Sequence, residues 1–258
     1  MLKAERHRQI IELVMRDGKV IIADLCQHFG ISDMTARRDL RELDREGLLR
    51  RVHGGAVSSL GRSYEPPYRL RSSRNPEAKR PIGRKAAEMV FDGDSIALDV
   101  GTTTVEIVRA CGDRHNLTMI TASLPIANEV ISHLSLDSDV RLIVTGGIVR
   151  SGELSMIGDI AEQTYRNLHV DKAFLGIGGL SLEDGLTEYN LEDALVKQSL
   201  LKSAHQIIVV ADGSKFGRTT FVSVGPLSCV DVIVTDSSAP ADMVQALRQI
   251  GIRVVIAE

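Results

Sequence analysis

Six arginines fall within fifteen consecutive positions, from Arg37 to Arg51, although the whole chain carries a formal net charge of −3. A guanidinium group binds phosphate oxygens and the O6 and N7 atoms of guanine through paired hydrogen bonds. Residues 1–80 hold 17 Lys and Arg against 11 Asp and Glu, a balance of +6, whereas residues 81–258 hold 14 against 23, a balance of −9. This asymmetry predicts that the first part of the chain contacts a polyanion and that the second part does not.

A second group of residues suited to anion binding lies further along, in the stretches SIALDVGTTTVEIV and IIVVADGSKFG. In the first, an apolar run ends at Asp99, and a glycine turn leads to three threonines that open a helical pattern. Backbone N–H groups and threonine hydroxyls at a helix start form a cradle for phosphate, whereas Asp99 suits a sugar hydroxyl better. In the second, Lys215 supplies the positive charge that an anion needs, shortly after Asp212.

The elements that must position the arginines are three short helices and a hairpin. Helical spacing of apolar residues covers 4–18 and 32–47, whereas 20–30 starts with a brief β-like run and continues as a short helix. A glycine ends each of the three segments. Ser32 is a good N-cap for the third helix. The run LLRRVHGGAV then predicts a hairpin around Gly54 and Gly55. Together these segments predict a winged helix-turn-helix, whose second motif helix enters the DNA major groove by its N-terminal end.

The third helix has one apolar face, formed by Ala36, Leu40 and Leu43, with arginines on the opposite face. We expect residues near its start to reach base edges and residues further along, with those of the wing, to contact the DNA backbone. The predicted DNA-binding residues are Ser32, Met34, Thr35, Arg37, Arg38, Arg41, Arg51 and His53. A solvated charged helix face remains the alternative interpretation of the arginines, because acidic residues are interspersed among them.

Residues 58–76 contain five serines, three prolines and four arginines, which is a linker composition. From about residue 77, seven apolar runs alternate with helical patterns, which predicts a mostly parallel α/β sheet. The predicted domains are therefore 1–57, a linker at 58–76, and 77–258. Pro81 leaves two alternatives for the first helix of the large domain, which either begins near Pro81 or is kinked there.

In a parallel sheet the carboxyl ends of all strands lie along one edge, where ligands bind. The loops that follow the predicted strands should therefore converge, and glycines in them permit close backbone approach. The predicted effector-binding residues are Asp99, Gly101, Thr102, Thr103, Thr104, Gly146, Gly147, Asp212 and Lys215. A plain glycine turn with a threonine cap, and an ordinary surface lysine at Lys215, remain alternatives.

Several functional classes lack support in the sequence. No apolar run approaches the roughly 20 residues that span a bilayer, and the charged start of the chain does not have the pattern of a signal peptide. The three isolated cysteines form no CxxC pair, no Walker A motif is present, and the glycines at 176–179 lack the spacing of a dinucleotide fingerprint. We therefore expect a cytoplasmic protein with no catalytic residue, metal site or cofactor.

The N-terminal region resembles that of the DeoR/GlpR-type bacterial transcription regulators. The resemblance lies in the core S-x-x-T-x-R-R-D-L, from Ser32 to Leu40, and in the trailing R-x-H-G-G-A, from Arg51 to Ala56. Ala36 departs from the Ile or Val usual in the family. The resemblance implies a protein that binds double-stranded operator DNA and most often represses transcription.

The resemblance continues in the C-terminal part, through D-x-G-T-T at 99–103, GG at 146–147, G-x-T at 185–187 and D-x-S-K-F-G at 212–217. It implies an α/β sensor domain similar in fold to ribose-5-phosphate isomerase and glucosamine-phosphate deaminases, with phosphorylated sugars or related metabolites as effectors. The family's T-N-S is Thr121-Ala122-Ser123 here, so one amide is missing from the ligand rim.

Three functions remain in competition at this stage. The first is a ligand-controlled repressor of a carbohydrate-catabolism operon, acting as a homo-oligomer, either a dimer or a tetramer. The second is a sugar-phosphate isomerase or deaminase with an appended DNA-binding domain, for which Asp99 or Glu192 would be the base. The third is a dimerisation scaffold without a ligand.

Overall fold

The structure is a computed structural model that describes residues 2–57, 61–112, 114–133 and 139–258. The chain divides into two compact units, Met1–Tyr64 and Glu65–Glu258. Each unit has its own apolar core.

The small unit contains three helices and three short strands. They are α1 (Lys3–Asp17), β1 (Lys19–Ile21), α2 (Ile22–Phe29), α3 (Asp33–Arg45), β2 (Arg50–Val52) and β3 (Gly55–Val57). The strands form an antiparallel sheet in the order β1–β3–β2. The apolar face of α3 packs into the core, where Ala36, Leu40 and Leu43 are buried. The predicted winged helix-turn-helix is confirmed.

Local sequence explains the tight turns of this unit. Gly30 ends α2 in the left-handed region at φ 63°, and its N–H donates to the carbonyl of Cys26. Ser32 then caps α3, because its hydroxyl accepts the N–H of Thr35 at 3.2 Å. Gly55 lies where a Cβ would be 2.0 Å from the carbonyl oxygen of Val20, so only glycine lets β3 pair this closely with β1.

The large unit contains seven helices and twelve strands within the described residues. The helices are α4 (Tyr68–Ser72), α5 (Pro76–Ala87), α6 (Val105–Ala110), α7 (Leu124–His133), α8 (Asp159–Arg166), α9 (Leu191–Ser203) and α10 (Ala241–Gln249). The strands are β4 (Ser95–Leu98), β5 (Thr118–Thr121), β6 (Arg141–Val144), β7 (Ile148–Arg150), β8 (Ser155–Ile157), β9 (Val170–Leu175), β10 (Gly179–Ser181), β11 (Gly185–Glu188), β12 (Ala204–Val210), β13 (Val222–Gly225), β14 (Val232–Asp236) and β15 (Arg253–Ala257).

Seven of these strands form one parallel sheet in the order β15–β14–β12–β9–β4–β5–β6. Successive side chains of a strand point to opposite faces, and both faces are buried. In β4, Ile96 and Leu98 pack in the core that includes α5, α6 and α7, whereas Ala97 packs in the core that includes α8, α9 and α10. The seven apolar runs of the sequence form this sheet, and the predicted α/β class is confirmed.

Two small antiparallel sheets were not anticipated. Strands β7 and β8 form a hairpin, and β10, β11 and β13 form a three-stranded sheet. Their strands are three or four residues long, which is too short to produce a clear period in the sequence.

The predicted linker, 58–76, contains ordered structure in its second half. Residues 58–60 lie outside the described residues. Residues from Glu65 onward belong to the large unit and include α4. Helix α5 begins at Pro76 and contains Pro81, so the alternative in which it begins near Pro81 is wrong. Within the described part of the chain, no helix has the length and apolar character needed to cross a membrane.

Candidate functional sites

The outward face of α3 is the first candidate site. Arg37, Arg38 and Arg41 are exposed on it, opposite the buried apolar face. Met34 is 78% exposed, although methionine is normally an interior residue. An exposed apolar side chain among arginines, near a helix start, is suited to contact with base edges such as the thymine methyl group.

Two of the predicted residues are organised by the cap of the helix. The hydroxyls of Ser32 and Thr35 lie 2.9 Å apart and share a hydrogen bond. Arg37 pairs with Asp33, one turn earlier, and its Nη2 lies 3.3 Å from Asp33 Oδ2. Among the described residues, Arg38 and Arg41 have no ion pair. These two side chains are therefore available to an external anion without breaking an existing contact.

The wing is attached to the same helix. The backbone N–H of Arg51, in β2, donates to Asp44 Oδ1 of α3 at 3.1 Å. The side chains of Arg50, Arg51 and His53 are exposed. The hydrogen bond fixes the wing at the C-terminal end of α3, so its basic side chains extend the exposed basic surface of that helix.

Sequence analysis missed the residue that orients α3. Asp39 is fully buried and accepts hydrogen bonds from Arg6, at 2.6 and 3.1 Å, and lies 3.1 Å from His7 Nε2. Burial alone would raise the pKa of the Asp39 carboxyl, but Arg6 and His7 hold it below its usual value. A detectable signal exists, since Asp39 lies three residues after Ala36 and four before Leu43, on the apolar face.

The second candidate site is at the carboxyl ends of β12, β9 and β4, which are neighbours in the sheet. Asp99, just after β4, is buried. Its Oδ2 lies 2.9 Å from Lys197 Nζ, and the same ammonium donates to Glu188 Oε2 at 2.6 Å. Lys197 also donates to the carbonyl of Gly176 at 2.7 Å. The sequence-based analysis identified Asp99 but missed Lys197 and Glu188.

The pKa values of the two carboxyls that share Lys197 are shifted in opposite directions. Burial raises the pKa of Asp99 to about 6, because the loss of water outweighs the attraction of Lys197. Burial also acts on Glu188, but Lys197 and the N–H of Tyr189 hold its pKa below the usual value. The two acids in turn push the pKa of Lys197 above its usual value, against burial. Lys197 is thus positively charged, and both neighbouring acids form ion pairs with it.

The threonine loop lies against this cluster. A Cβ on Gly176 would be 3.4 Å from Thr104 Oγ1 and 3.5 Å from Asp99 Oδ2, which places these groups around one glycine. Thr104 Oγ1 is buried and has no hydrogen-bond partner among the described residues. Thr102 is buried and Thr103 partly buried, and the helix that follows, α6, has only six residues. The phosphate cradle predicted at this helix start remains a prediction.

Lys215 lies next to Tyr189, the residue that follows Glu188. Its Nζ is 6.0 Å from the centre of the Tyr189 ring, and the Arg218 guanidinium is 5.3 Å from the same centre. Asp212 accepts the N–H of Ser214 at 2.9 Å and so begins the turn that presents Lys215. Burial lowers the pKa of Lys215 to about 8, and the charge of Arg71 contributes.

Lys79 is the other cation that the sequence-based analysis missed. It is 6% exposed, in α5, and its ammonium donates to the backbone carbonyl of Arg71. No carboxylate lies within ion-pair distance of it among the described residues. Burial lowers its pKa to about 8, and Lys215 and Arg71 lower it further while Asp212 opposes them. Lysines with so little compensation are stabilised by an external anion.

Gly146 and Gly147 are not brought into this cluster by any described contact. They follow β6, at the edge of the sheet and two strands away from β4. Both have positive φ, 75° and 115°, and a Cβ on Gly147 would lie 2.5 Å from the carbonyl oxygen of Ile157. Because glycine has no side chain, these two residues allow the chain to turn from β6 into the β7–β8 hairpin. In the described part of the chain, no group of His, Cys, Asp or Glu side chains could hold a metal ion.

Comparisons with known proteins agree with this division. Residues 6–60 match the model of the DeoR-like helix-turn-helix domain, and residues 74–237 match that of the DeoR C-terminal sensor domain. The glycerol-3-phosphate regulon repressor of Escherichia coli K12 is 34% identical over 247 residues, which cover 96% of each chain. The transcriptional regulator GlpR of Haloferax volcanii is 37% identical over 255 residues, covering 99% of this chain and 98% of that protein.

Solved structures resemble only part of the chain. Ribose-5-phosphate isomerase A of Methanocaldococcus jannaschii matches 54% of this chain and 53% of its own at 18% identity, with a TM-score of 0.39. The eIF2B delta subunit of Chaetomium thermophilum matches 64% and 57%, also at 18% identity, with a TM-score of 0.43.

Proposed function

The chain belongs to the DeoR family of DNA-binding transcriptional regulators, and from this premise we propose that it represses a carbohydrate-catabolism operon under the control of a phosphorylated sugar. The repressor acts in the cytoplasm as a homo-oligomer, and its effector is bound in the large unit. The observation that carries the effector proposal is the pair of lysines, Lys79 and Lys215. Among the described residues, neither lysine forms an ion pair with a carboxylate.

The DNA-binding surface is α3 with its wing. The exposed face of α3 presents Arg38 and Arg41 for DNA, and Arg37 once its pair with Asp33 opens. Arginine near the start of a recognition helix reads guanine, and basic residues further along neutralise phosphates. Pairing of two such units about a two-fold axis gives an operator with repeated half-sites about 34–36 Å apart or a multiple of that distance.

The effector site combines Lys79, Lys215 and Arg218, with Asp212 and the 102–104 loop as polar neighbours. Two lysines with depressed pKa values bind a dianion favourably, because the anion restores the charged form that burial disfavours. The buried Tyr189 ring contacts both Lys215 and Arg218 and so fixes the positions of these two cations.

This protein is a regulator and not an enzyme, in agreement with relatives that are named as repressors. The acids nominated for catalysis are poorly placed for it. Asp99 is buried against Lys197, and Glu192 is exposed at the start of α9. Neither of these two acids is therefore positioned to abstract a proton next to a carbonyl.

Replacing Arg38 by alanine is expected to reduce discrimination between operator and unrelated DNA by about 1–3 kcal/mol, because one bidentate base contact is lost. Replacing Arg41 by alanine is expected to weaken binding to both DNAs equally and to lower the salt slope by about one unit. Fluorescence anisotropy with the DNA upstream of the gene and a scrambled duplex, at several salt concentrations, measures both effects. Equal loss of discrimination in the two variants would contradict these roles.

A screen of phosphorylated sugars by thermal shift tests the effector site, with glycerol 3-phosphate as the first probe. A specific ligand stabilises the fold by about 2.7 kcal/mol at a hundredfold excess over its dissociation constant. Lys215→Ala is expected to abolish most of the shift, whereas Lys202→Ala, an exposed lysine in the last turn of α9, should retain it. An unchanged shift in Lys215→Ala would remove this lysine from the site.

The affinity of the screened phosphate ester is expected to fall as pH rises through about 8. The folded-state pKa values of Lys79 and Lys215 are near 8, below the usual 10.5, so the free protein loses these charges above that pH. Each lysine that must regain a proton weakens binding by up to about tenfold per pH unit above its pKa. The ester itself is a dianion throughout this range. Isothermal titration at pH 7, 8 and 9 measures the trend, and a flat profile would contradict it.

A further inference from the structure

A second cluster of charges lies where the large unit begins. We call residues 65–72 the strap, because this segment follows the small unit and packs on the β7–β8 hairpin. The N–H of Tyr68 donates to the carbonyl of Gly152 at 2.9 Å. The Arg71 guanidinium pairs with Glu153, between β7 and β8, and lies 3.1 Å from Glu65 Oε1. It also donates to the carbonyl of Pro66 at 3.1 Å.

Glu65 is held a second time, by Arg150 of β7 at 2.6 Å. Arg150 also pairs with the buried Asp193, at 2.5 Å. Two guanidinium groups therefore face three carboxylates, and burial together with Glu65 raises the pKa of Glu153 to about 7, although Arg71 opposes this. The cluster binds the strap firmly, but it contains one more acid than it has cations.

Arg71 also belongs to the surroundings of the effector site. Its backbone carbonyl accepts the hydrogen bond of the Lys79 ammonium. Its guanidinium lowers the pKa values of both Lys79 and Lys215, so its charge acts on the two lysines that would hold an anion. The same residue thus connects the strap to the unsatisfied cations.

We propose that Arg71 is an effector-sensing residue: an anion held by Lys79 and Lys215 draws the Arg71 guanidinium away from Glu65 and Glu153 and so releases the strap. This inference rests on the proposed effector site. Three effects act in the same direction. The anion attracts Arg71, it repels the two glutamates, and it competes with the Arg71 carbonyl for the Lys79 ammonium. Phosphate is also the anion that a guanidinium binds bidentately.

Release of the strap changes where the chain leaves the large unit. With the strap bound, the tether to the small unit ends at Glu65; with the strap released and held only through the Arg71 side chain, the tether ends at Arg71 and gains up to roughly 20 Å of reach. A longer tether holds paired DNA-binding units less firmly at the half-site spacing. The anion therefore acts as an inducer that weakens operator binding.

Thermodynamic linkage makes the effect reciprocal, because a strap that is already released no longer opposes the anion. Glu65→Gln removes the pairs with Arg71 and Arg150 but leaves Arg71, Lys79 and Lys215 in place. This variant is expected to bind glycerol 3-phosphate or inorganic phosphate about fivefold more tightly than the wild type. Arg69→Gln is the matched control, because Arg69 is an exposed arginine of α4, the helix that contains Arg71. This variant should bind both probes as the wild type does.

Hydrogen–deuterium exchange of the full-length protein, with and without these two probes, measures the strap directly. In the wild type and in Arg69→Gln, a bound probe should accelerate exchange of the amides at 68–72. In Glu65→Gln, exchange there should be fast without a probe and change little when one is added. Operator affinity should fall with a probe in the wild type and should be low already in Glu65→Gln.

Two results would overturn the inference while leaving the effector site intact. In one, a thermal shift shows that a probe binds, but exchange at 68–72 does not change. In the other, Glu65→Gln binds the probes no more tightly than the wild type. If neither the two probes nor any phosphorylated sugar of the screen shifts the melting temperature, the proposed effector site itself fails, and the sensing role of Arg71 fails with it.

Discussion

Replacing Lys197 by methionine is expected to lower the free energy of unfolding of the large unit by about 3–5 kcal/mol. Lys197 is buried between Asp99 and Glu188, at 2.9 and 2.6 Å. Methionine fills a similar volume, but it leaves two buried carboxylates without a cation. Because the chain has no tryptophan, urea unfolding followed by far-ultraviolet circular dichroism is the suitable measurement. Lys202→Met, in the exposed last turn of the same helix, should change stability by less than about 0.5 kcal/mol.

The stability lost in Lys197→Met should become smaller as pH falls. Without Lys197, the folded-state pKa values of Asp99 and Glu188 rise above those of the unfolded chain. A carboxyl whose folded-state pKa is raised stabilises the fold at low pH and ceases to do so as pH rises through that value. Lys197→Met should therefore recover stability between pH 7 and pH 5. The triple variant with Asp99→Asn and Glu188→Gln should recover part of it at pH 7. If Lys197→Met is as stable as Lys202→Met at pH 7, the buried cluster is not needed for stability.

Replacing Asp39 by asparagine is expected to destabilise the small unit by about 3–5 kcal/mol and to abolish operator binding. Arg6 is 8% exposed, and its guanidinium has Asp39 as its carboxylate partner. Asparagine keeps the shape but removes the charge, so the buried guanidinium loses its counter-ion. Since Arg6 and His7 belong to α1 and Asp39 to α3, the same change loosens the helix that presents Arg38 and Arg41.

Asp33→Asn provides the control, because Asp33 is an exposed acid of the same helix and pairs with Arg37 one turn away. It should leave the melting temperature unchanged and operator binding measurable. Hydrogen exchange of α1 and α3 reports on the small unit separately from the large one. In the wild type, the stabilisation from Asp39 is present at neutral pH and is lost as pH falls below about 4, because its folded-state pKa is lowered. Normal operator affinity in Asp39→Asn would contradict its orienting role.

The sequence could predict those features that depend on neighbours along the chain. Ala36, Leu40 and Leu43 recur at helical spacing, so their burial and the exposure of Arg38 follow from the geometry of one helix. The seven apolar runs that alternate with helical segments predict the parallel sheet for the same reason. Family resemblance added operator binding and a sensor domain, both carried by short motifs.

The sequence could not identify the partners of buried charges. From the sequence, Lys79 and Lys197 resemble ordinary exposed helix lysines, because nothing within α5 or α9 indicates that these side chains are buried. Asp99 was expected to face a ligand, and the structure instead pairs it with Lys197, nearly a hundred residues later. Arg71 lies in a stretch of linker composition, yet it is held by Glu153 of a distant hairpin.

The division between the two kinds of knowledge has a physical cause. Spacing along the chain fixes which side chains share a face, and this alone determined that the protein has a basic DNA-binding helix and an α/β body. Whether a charge is solvated, paired or left without a counter-ion depends on which distant elements pack against that face. Only the tertiary structure therefore separated Lys197, which is neutralised by two acids, from Lys79 and Lys215, which form no ion pair with a carboxylate in the described part of the chain.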